Sequence, residues 1–291
     1  MVSPSVMGRK AGLSDEQSAA ENLAMHRLAE KYGTILHTHA YAGDIKFMSE
    51  TTPEVLTPRL SLTHSTGISE EEIRIIAETG AWVFHGPSTH SIIWSFCPVF
   101  DLLRAGANVA MVTDGAAPDR GYDIWRDMKT FRSIHRIREK DFQLAPPGLI
   151  LELCTIRPAR ALGLGDELGS IEPGKLADLI TVDLAQPHFA PLRKEQLVHA
   201  LVYAACGTDV RDVWVEGEQV MRDRKLLSCS EERIISDVNE SFERMASRAG
   251  KERMELFMSN SSLYGLRSDS GIDRAAAFEG LEFDLKQPED V

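Results

Sequence analysis

The chain has 291 residues, 43% of them hydrophobic and 26% charged, which suits an ordinary water-soluble protein of one to one and a half domains. Its formal net charge of -12 opposes nucleic acid as a main partner, because a phosphate backbone demands a basic face. No apolar run is long enough for a membrane-spanning helix and no signal-peptide core follows Met1, so a cytoplasmic location is expected.

Residues 1–12 are small and polar and read as unstructured. Ser14 with Gln17 forms a capping box, and Ala20, Leu23, Ala24 and Leu28 follow at helical spacing up to Gly33. A strand is expected at 34–39, then a loop carrying Gly43, Pro53 and Pro58, then a strand ending at His64. Ser69 with Glu72 is a second capping box, and it opens a helix with Ile73, Ile76 and Ala77 on one face and Gly80 at its end. The strand Trp82–His85 leads into the loop Gly86-Pro-Ser-Thr-His90. Pro98 fits the first turn of a helix closed by Gly106, and a strand then runs through Val109–Thr113 to Asp114. Helices are expected over about 122–140, with Ile124, Met128, Phe131 and His135 near one face, and over about 148–163.

This alternation predicts a parallel sheet with right-handed crossovers and four βα units. Each strand ends in a residue suited to metal or proton chemistry: His39, His64, His85 and Asp114. In a parallel barrel all strand C-termini point at one face, where active sites sit. His37 lies on the same side of its strand as His39 and could supply a further ligand.

After Gly163 the pattern changes. Glu172-Pro-Gly-Lys175 is a type II turn, although Gly169 to Lys175 mimics a phosphate loop. That loop would need Ser or Thr where Leu176 stands, and Pro173 removes a backbone N–H. Short strands at 178–183, 210–215 and 219–221, the last two flanking Glu216-Gly217, predict a small β-domain. Residues 230–258 read as a charged helix, and the tail from Ser259 as loosely ordered. The expected organisation is 1–165, 166–228 and 229–291. Cys97, Cys154, Cys206 and Cys229 are widely spaced without a C-x-x-C pair and read as reduced thiols, not metal ligands.

The ordered set His37-Thr-His39, Leu62-Thr-His64, His85-Gly-Pro-Ser-Thr, Thr113-Asp-Gly-Ala-Ala117, Ala159-Arg-Ala-Leu-Gly-Leu164 and Gly169-Ser-Ile-Glu-Pro-Gly-Lys-Leu-Ala-Asp-Leu179 resembles the amidohydrolase superfamily. Within it the pattern is most similar to the atrazine/triazine chlorohydrolase and S-adenosylhomocysteine deaminase-like group. The resemblance implies an α/β fold: part of a (β/α)8 TIM-type barrel, equivalent to strands five to eight, with part of a β-sandwich and a helical tail. It implies one divalent metal, zinc or iron. His39 would match the fifth-strand ligand and Asp114 the eighth-strand ligand. Asp114 would also take a proton from the metal's water, and His64 would contact substrate and move protons. His85 and His90 fall in the seventh-strand loop and are the further candidates for substrate contact. The implied activity is hydrolysis or deamination at a carbon–nitrogen bond of a cyclic amidine, purine-like or triazine-like small molecule.

Two positions depart from the family pattern. Ala42 stands where a Glu acid–base group is usual, leaving Asp44 and Tyr41 as substitutes, and His90 stands where Asn is usual. The family's first-strand H-x-H and its first four βα units have no counterpart, so the metal site is expected to be incomplete in this chain. Two readings follow: an enzyme whose remaining ligands come from elsewhere, or a truncated, catalytically inactive remnant or partner subunit. Open strand edges favour self-association or a complementary polypeptide in either case. Taken singly, each residue also has a plainer reading. His39 is a core histidine, Asp114 a loop cap, His85 a loop-fixing residue and His90 a filler of the Asn niche. His26, His135, His188 and His199 read as surface or packing residues.

Overall fold

The computed structural model describes residues 1–92, 95–115 and 121–254. By contacts the chain divides into two compact units, Met1–Leu227 and the residues from Ser228 onward.

The first unit is α/β. Helix α1 (Asp15–Lys31) starts at Ser14, whose hydroxyl accepts from the Gln17 N–H while the Gln17 side chain caps the Ser14 N–H. Strand β1 (Leu36–Tyr41), helix α2 (Asp44–Thr51), strand β2 (Leu60–Thr66), helix α3 (Glu70–Thr79), strand β3 (Trp82–His85), helices α4 (Pro87–Ile92) and α5 (Val99–Arg104) and strand β4 (Asn108–Met111) follow in alternation. The four strands form one sheet in the order β1-β2-β3-β4, and every pairing is parallel.

Strand alternation divides this sheet into two faces. Leu36, Leu60, Leu62, Val83, Val109 and Met111 point into the main core, which Ile45, Met48, Ile73, Ile76 and Leu102 complete from the helices. The other face carries His37, His39, Ser61, Thr63, Trp82, Phe84 and Ala110. There Trp82, Phe84, Ala110 and Ala161 form a separate small apolar cluster.

Residues 1–12 differ from the sequence expectation. Val2 and Val6 make parallel bridges to Leu36 and His39, and Met7 is fully buried. The Val2 N–H donates to Ile35, and the N–H groups of His37 and His39 donate to the carbonyls of Val2 and Ser5. The free edge of β1 presented unpaired backbone groups, and this short apolar-tipped segment satisfies several of them.

Helix α6 (Ile124–Glu139) follows, and then, in place of the single helix expected over 148–163, α7 (Pro147–Cys154) and α8 (Ile156–Ala161). The break falls at Thr155, at φ -126° and ψ -90°. Pro158 lacks an N–H and its ring would clash with the carbonyl of Cys154, so one continuous helix cannot pass through it. Helix α9 (Leu197–Tyr203) is held to this part of the unit. The Trp125 indole donates to the Leu201 carbonyl (2.8 Å) and the Tyr203 hydroxyl to the Ala145 carbonyl (2.7 Å).

Strands β5 (Leu179–Val182), β6 (Val210–Val215), β7 (Glu218–Arg222) and β8 (Lys225–Leu226) form a second, antiparallel sheet in sequence order. The Glu172–Lys175 turn forms with an i to i+3 hydrogen bond of 3.2 Å and Gly174 at φ +95°, as a type II turn requires. In the second unit α10 spans Glu231–Ala249, capped by the Ser230 hydroxyl. No helix among the described residues is long and apolar enough to cross a membrane.

Candidate active site

The candidate residues gather where β1 and β2 end. His39 lies on the face of the parallel sheet away from the main core, whereas alternation alone would aim His64 into that core beside Leu60 and Leu62. The backbone overrides alternation at this point. His64 and Ser65 sit at φ +76° and +47°, and the β1–β2 register slips between Ala40 and Tyr41. A bulge of this kind re-aims a side chain, and left-handed backbone at non-glycine residues is held only where the surroundings over-determine it. The His64 ring consequently meets His39 edge-on at 4.7 Å and stacks on Tyr41 at 5.6 Å between centroids.

Behind His64 runs a file of buried imidazoles. His64 Nδ1 is 3.1 Å from His90 Nε2, the His90 and His85 rings are 4.9 Å apart, and His85 Nε2 is 3.3 Å from His135 Nε2 on α6. His85, His90 and His135 are at most 1% exposed. Phe131, Phe96 and Phe100 enclose the His135 end. Asp127, also on α6, fixes the start of α4: its Oδ1 accepts from the Ser88 N–H (2.9 Å) and hydroxyl (2.6 Å). His85 and His90 therefore stand behind His64, away from the open face of the sheet.

Asp114, at φ +60°, lies near enough to act electrostatically on Tyr41, His64 and His90. A Cβ added at Gly86 would lie 3.3 Å from the Asp114 Cβ, so glycine lets the end of β3 lie close against Asp114. Burial and then the Asp114 charge raise the Tyr41 hydroxyl above its ordinary value. Burial and then His39 lower the His64 imidazole, with Asp114 partly opposing them. Burial and then His64 lower His90 to about 4. Burial dominates in the last two groups as well, placing His85 well below the ordinary value and His135 at about 3. At neutral pH the file is uncharged, so each close imidazole pair can share one N–H between two nitrogens.

Two of these contributors were hidden in the sequence. His135 is i+4 from Phe131 on the inward face of α6, a position that signalled packing but not contact with His85. Asp127 carried no motif, and only its burial beside Met128 sets it apart.

The amidohydrolase family pattern matches residues 6–220 of the chain. The chain belongs to the amidohydrolase family. Among curated members it is 35% identical over 185 residues to the 5-methylthioadenosine/S-adenosylhomocysteine deaminase of Syntrophobacter fumaroxidans, covering 63% of this chain and 42% of that one. It is 31% identical over 233 residues to the 5'-deoxyadenosine deaminase of Methanosarcina mazei, covering 80% of this chain and 50% of that one. The structure is similar to that of an adenosine deaminase from Xanthomonas campestris with bound zinc, with a TM-score of 0.71 and 29% identity over 78% of this chain and 54% of the other. A zinc complex of atrazine chlorohydrolase from Arthrobacter aurescens shares the fold, with a TM-score of 0.67 at 22% identity over 76% of this chain and 51% of the other. The chain thus spans about half the length of the amidohydrolases it matches.

The donor set can be tested against the zinc of these structures. A catalytic zinc takes three protein ligands and an open position. Among the described residues no group of three His, Cys, Asp or Glu side chains could hold a metal ion. His37 does not make up the number, because its Nδ1 contacts the Ser61 hydroxyl at 2.8 Å and its Nε2 the Thr63 hydroxyl at 3.3 Å. Among the described residues the donors do not fit a complete amidohydrolase metal centre.

Proposed function

We propose that this chain carries the proton-handling half of an amidohydrolase site, for hydrolysis of a carbon–nitrogen bond in an adenosine-like amidine. The observation that carries this reading is the left-handed turn at His64. It takes an imidazole out of the core and sets it beside His39, Tyr41 and Asp114 on one face. The deaminase names of the relatives support the bond type and substrate class.

In such a reaction the ring atom under attack gains an oxygen and its amino group leaves as ammonia. A proton must reach the ring nitrogen or the departing amine. In the tautomer whose Nδ1 accepts from His90 Nε2, His64 carries its own proton on Nε2 and can donate it to the substrate. Asp114 is the nearby carboxylate that can take up the proton released by water. His90 Nε2 is the group that holds the His64 tautomer, and the His85 ring packs against His90. Ligands to complete a metal centre with His39 and Asp114 are assigned to a complementary polypeptide or a second copy.

On the same reading the parallel sheet corresponds to barrel strands five to eight, within 1–165. The antiparallel sheet belongs to a sandwich segment, 166–228, followed by the helical segment 229–291. The short donor set favours a second reading, a non-catalytic amidohydrolase-like partner subunit.

Zinc content and ammonia release from 5'-deoxyadenosine separate the two. On the catalytic reading the assembled protein holds close to one zinc per chain and His39→Ala or Asp114→Ala removes it. His64→Ala then lowers the rate about 10²- to 10⁴-fold while zinc is retained. Zinc-free protein that releases no ammonia after zinc is added, alone or with its partner, leaves the non-catalytic reading.

A further inference from the structure

The pattern of helix α10 supports an inference that does not depend on the proposed activity. None of its residues is buried. Ile234, Ile235, Val238, Phe242 and Met245 are between 38% and 61% exposed. Ile235, Val238, Phe242 and Met245 recur at spacings of three, four and three, the heptad seam of a helix that packs lengthwise against another. The opposite side is laced by the i,i+4 pairs Arg233–Asp237 and Glu240–Arg244, each at 3.7 Å, as expected of a solvent-facing surface. A helix of this length, about 28 Å at 1.5 Å per residue, is marginal in water unless its apolar stripe is covered.

Charge along the seam indicates the occupant. Glu231 and Glu232 flank its beginning and Arg248 flanks its end. Two copies side by side in parallel would set Glu231, which continues the seam four residues before Ile235, against its own copy. Two copies in antiparallel would set the acidic end of each against the basic end of the other, with Val238 facing Phe242 and Ile235 facing Met245 across the dyad. We propose that α10 is a self-association element and pairs with α10 of a second copy of this chain in antiparallel orientation.

Cys229, exposed and one residue before the Ser230 cap, reports on orientation. A parallel pair would bring the two Cys229 thiols together, and an antiparallel pair would hold them roughly a helix length apart. Asn239 lies beside the seam near the centre of α10, so a cysteine there would meet its own copy only in the antiparallel pair. Sedimentation of the full chain over a roughly hundredfold concentration range should show mass rising toward twice 32.3 kDa. Val238→Glu with Phe242→Glu, both substitutions favourable in helices, should hold the mass at 32.3 kDa with helical circular dichroism unchanged. Under mild oxidation the Cys229→Ser, Asn239→Cys variant should cross-link into dimers, while the unaltered chain should not cross-link through Cys229. Single-chain mass at every concentration, a dimer that survives the double substitution, or Cys229 cross-linking as fast as the introduced cysteine would each overturn the proposal. These readouts are taken without added zinc and require neither zinc binding nor ammonia release, so they can fail or succeed independently of the site.

Discussion

His135 shows how burial, not a charged partner, sets the chemistry of a residue in this chain. Its imidazole lies in a nest of three phenylalanines with His85 at one nitrogen, and burial lowers it from 6.5 to about 3, with Arg138 and then His90 adding to the effect. The consequence for stability has a definite sign. In the unfolded chain His135 takes up a proton as pH falls below about 6.5, while in the folded chain it stays neutral until about 3. The unfolded state therefore binds more protons throughout that window, so stability is complete above it and is lost as pH falls through it. His90 and His85 act with the same sign. His135→Phe fills the nest with a group that cannot titrate. Urea denaturation between pH 7.5 and 4.5 should show the slope of stability against pH reduced by up to about 1.4 kcal/mol per pH unit relative to the unaltered chain. An unchanged slope would mean that His135 is protonated in the folded protein over this range. From the sequence, the place of His135 on the inward face of α6 was legible, because it follows from helical period. Its approach to His85 was not, because it depends on how α6 crosses the sheet.

At the scale of elements, what could be read beforehand was what is local. Both capping boxes and the Gly174 turn form because residues within four positions of one another decide them, and the four strands could be placed because each is a short apolar run with local breaks at its ends. The N-terminal strand-like segment escaped notice because its alternation of Val2, Pro4 and Val6 with Ser3 and Ser5 spans only five residues, contains a proline and touches β1 only at isolated bridges. The re-aiming of His64 escaped notice because it arises from a register slip between two strands. Glu72 illustrates how a local motif takes on a longer-range duty. Besides capping Ser69, its carboxylate accepts from the Gly43 N–H at 2.9 Å, joining the start of α2 to the start of α3 while only 2% exposed. Ser69→Ala removes one cap and should cost about 1 kcal/mol. Glu72→Ala removes the charged acceptor of part-buried N–H groups at the starts of two helices and should cost about 2–3 kcal/mol, a difference that chemical denaturation resolves. Deleting residues 1–6 should leave the sheet folded but speed amide exchange at His37 and His39. Their N–H groups donate to Val2 and Ser5, and unchanged protection there would show that the segment does not pair with β1 in solution.

For the whole molecule, the question is how much chain the parallel sheet needs in order to fold. Helices α6 and α7 each leave an apolar stripe that neither the sheet nor α8 covers completely. That stripe is closed by α9 and the residue pair after it, where Val202 and Ala205 are fully buried and Ala200 is 8% exposed. The Trp125 and Tyr203 hydrogen bonds and the contact of the Gly207 N–H with Asp123 (3.2 Å) tie the same region together with polar groups. The antiparallel sheet is continuous with this core through Val182 and Val210, which pack against it. A chain ending at Leu227 keeps all of these contacts and ends where the first compact unit ends. It should unfold in one cooperative transition with a melting temperature within a few degrees of the full chain. A chain ending at Gly165 keeps the sheet and its helices but exposes the stripe on α6 and α7. With the buried Phe189 and Val202 lost at about 1.5–3 kcal/mol each and the apolar stripe on α6 and α7 exposed to water besides, out of a total stability of about 5–15 kcal/mol, it should show no cooperative transition. Differential scanning calorimetry of the two truncations decides the matter. A sharp transition in the shorter chain would mean that the parallel sheet and its helices fold without α9, and that the antiparallel sheet is an appendage rather than part of the folding unit.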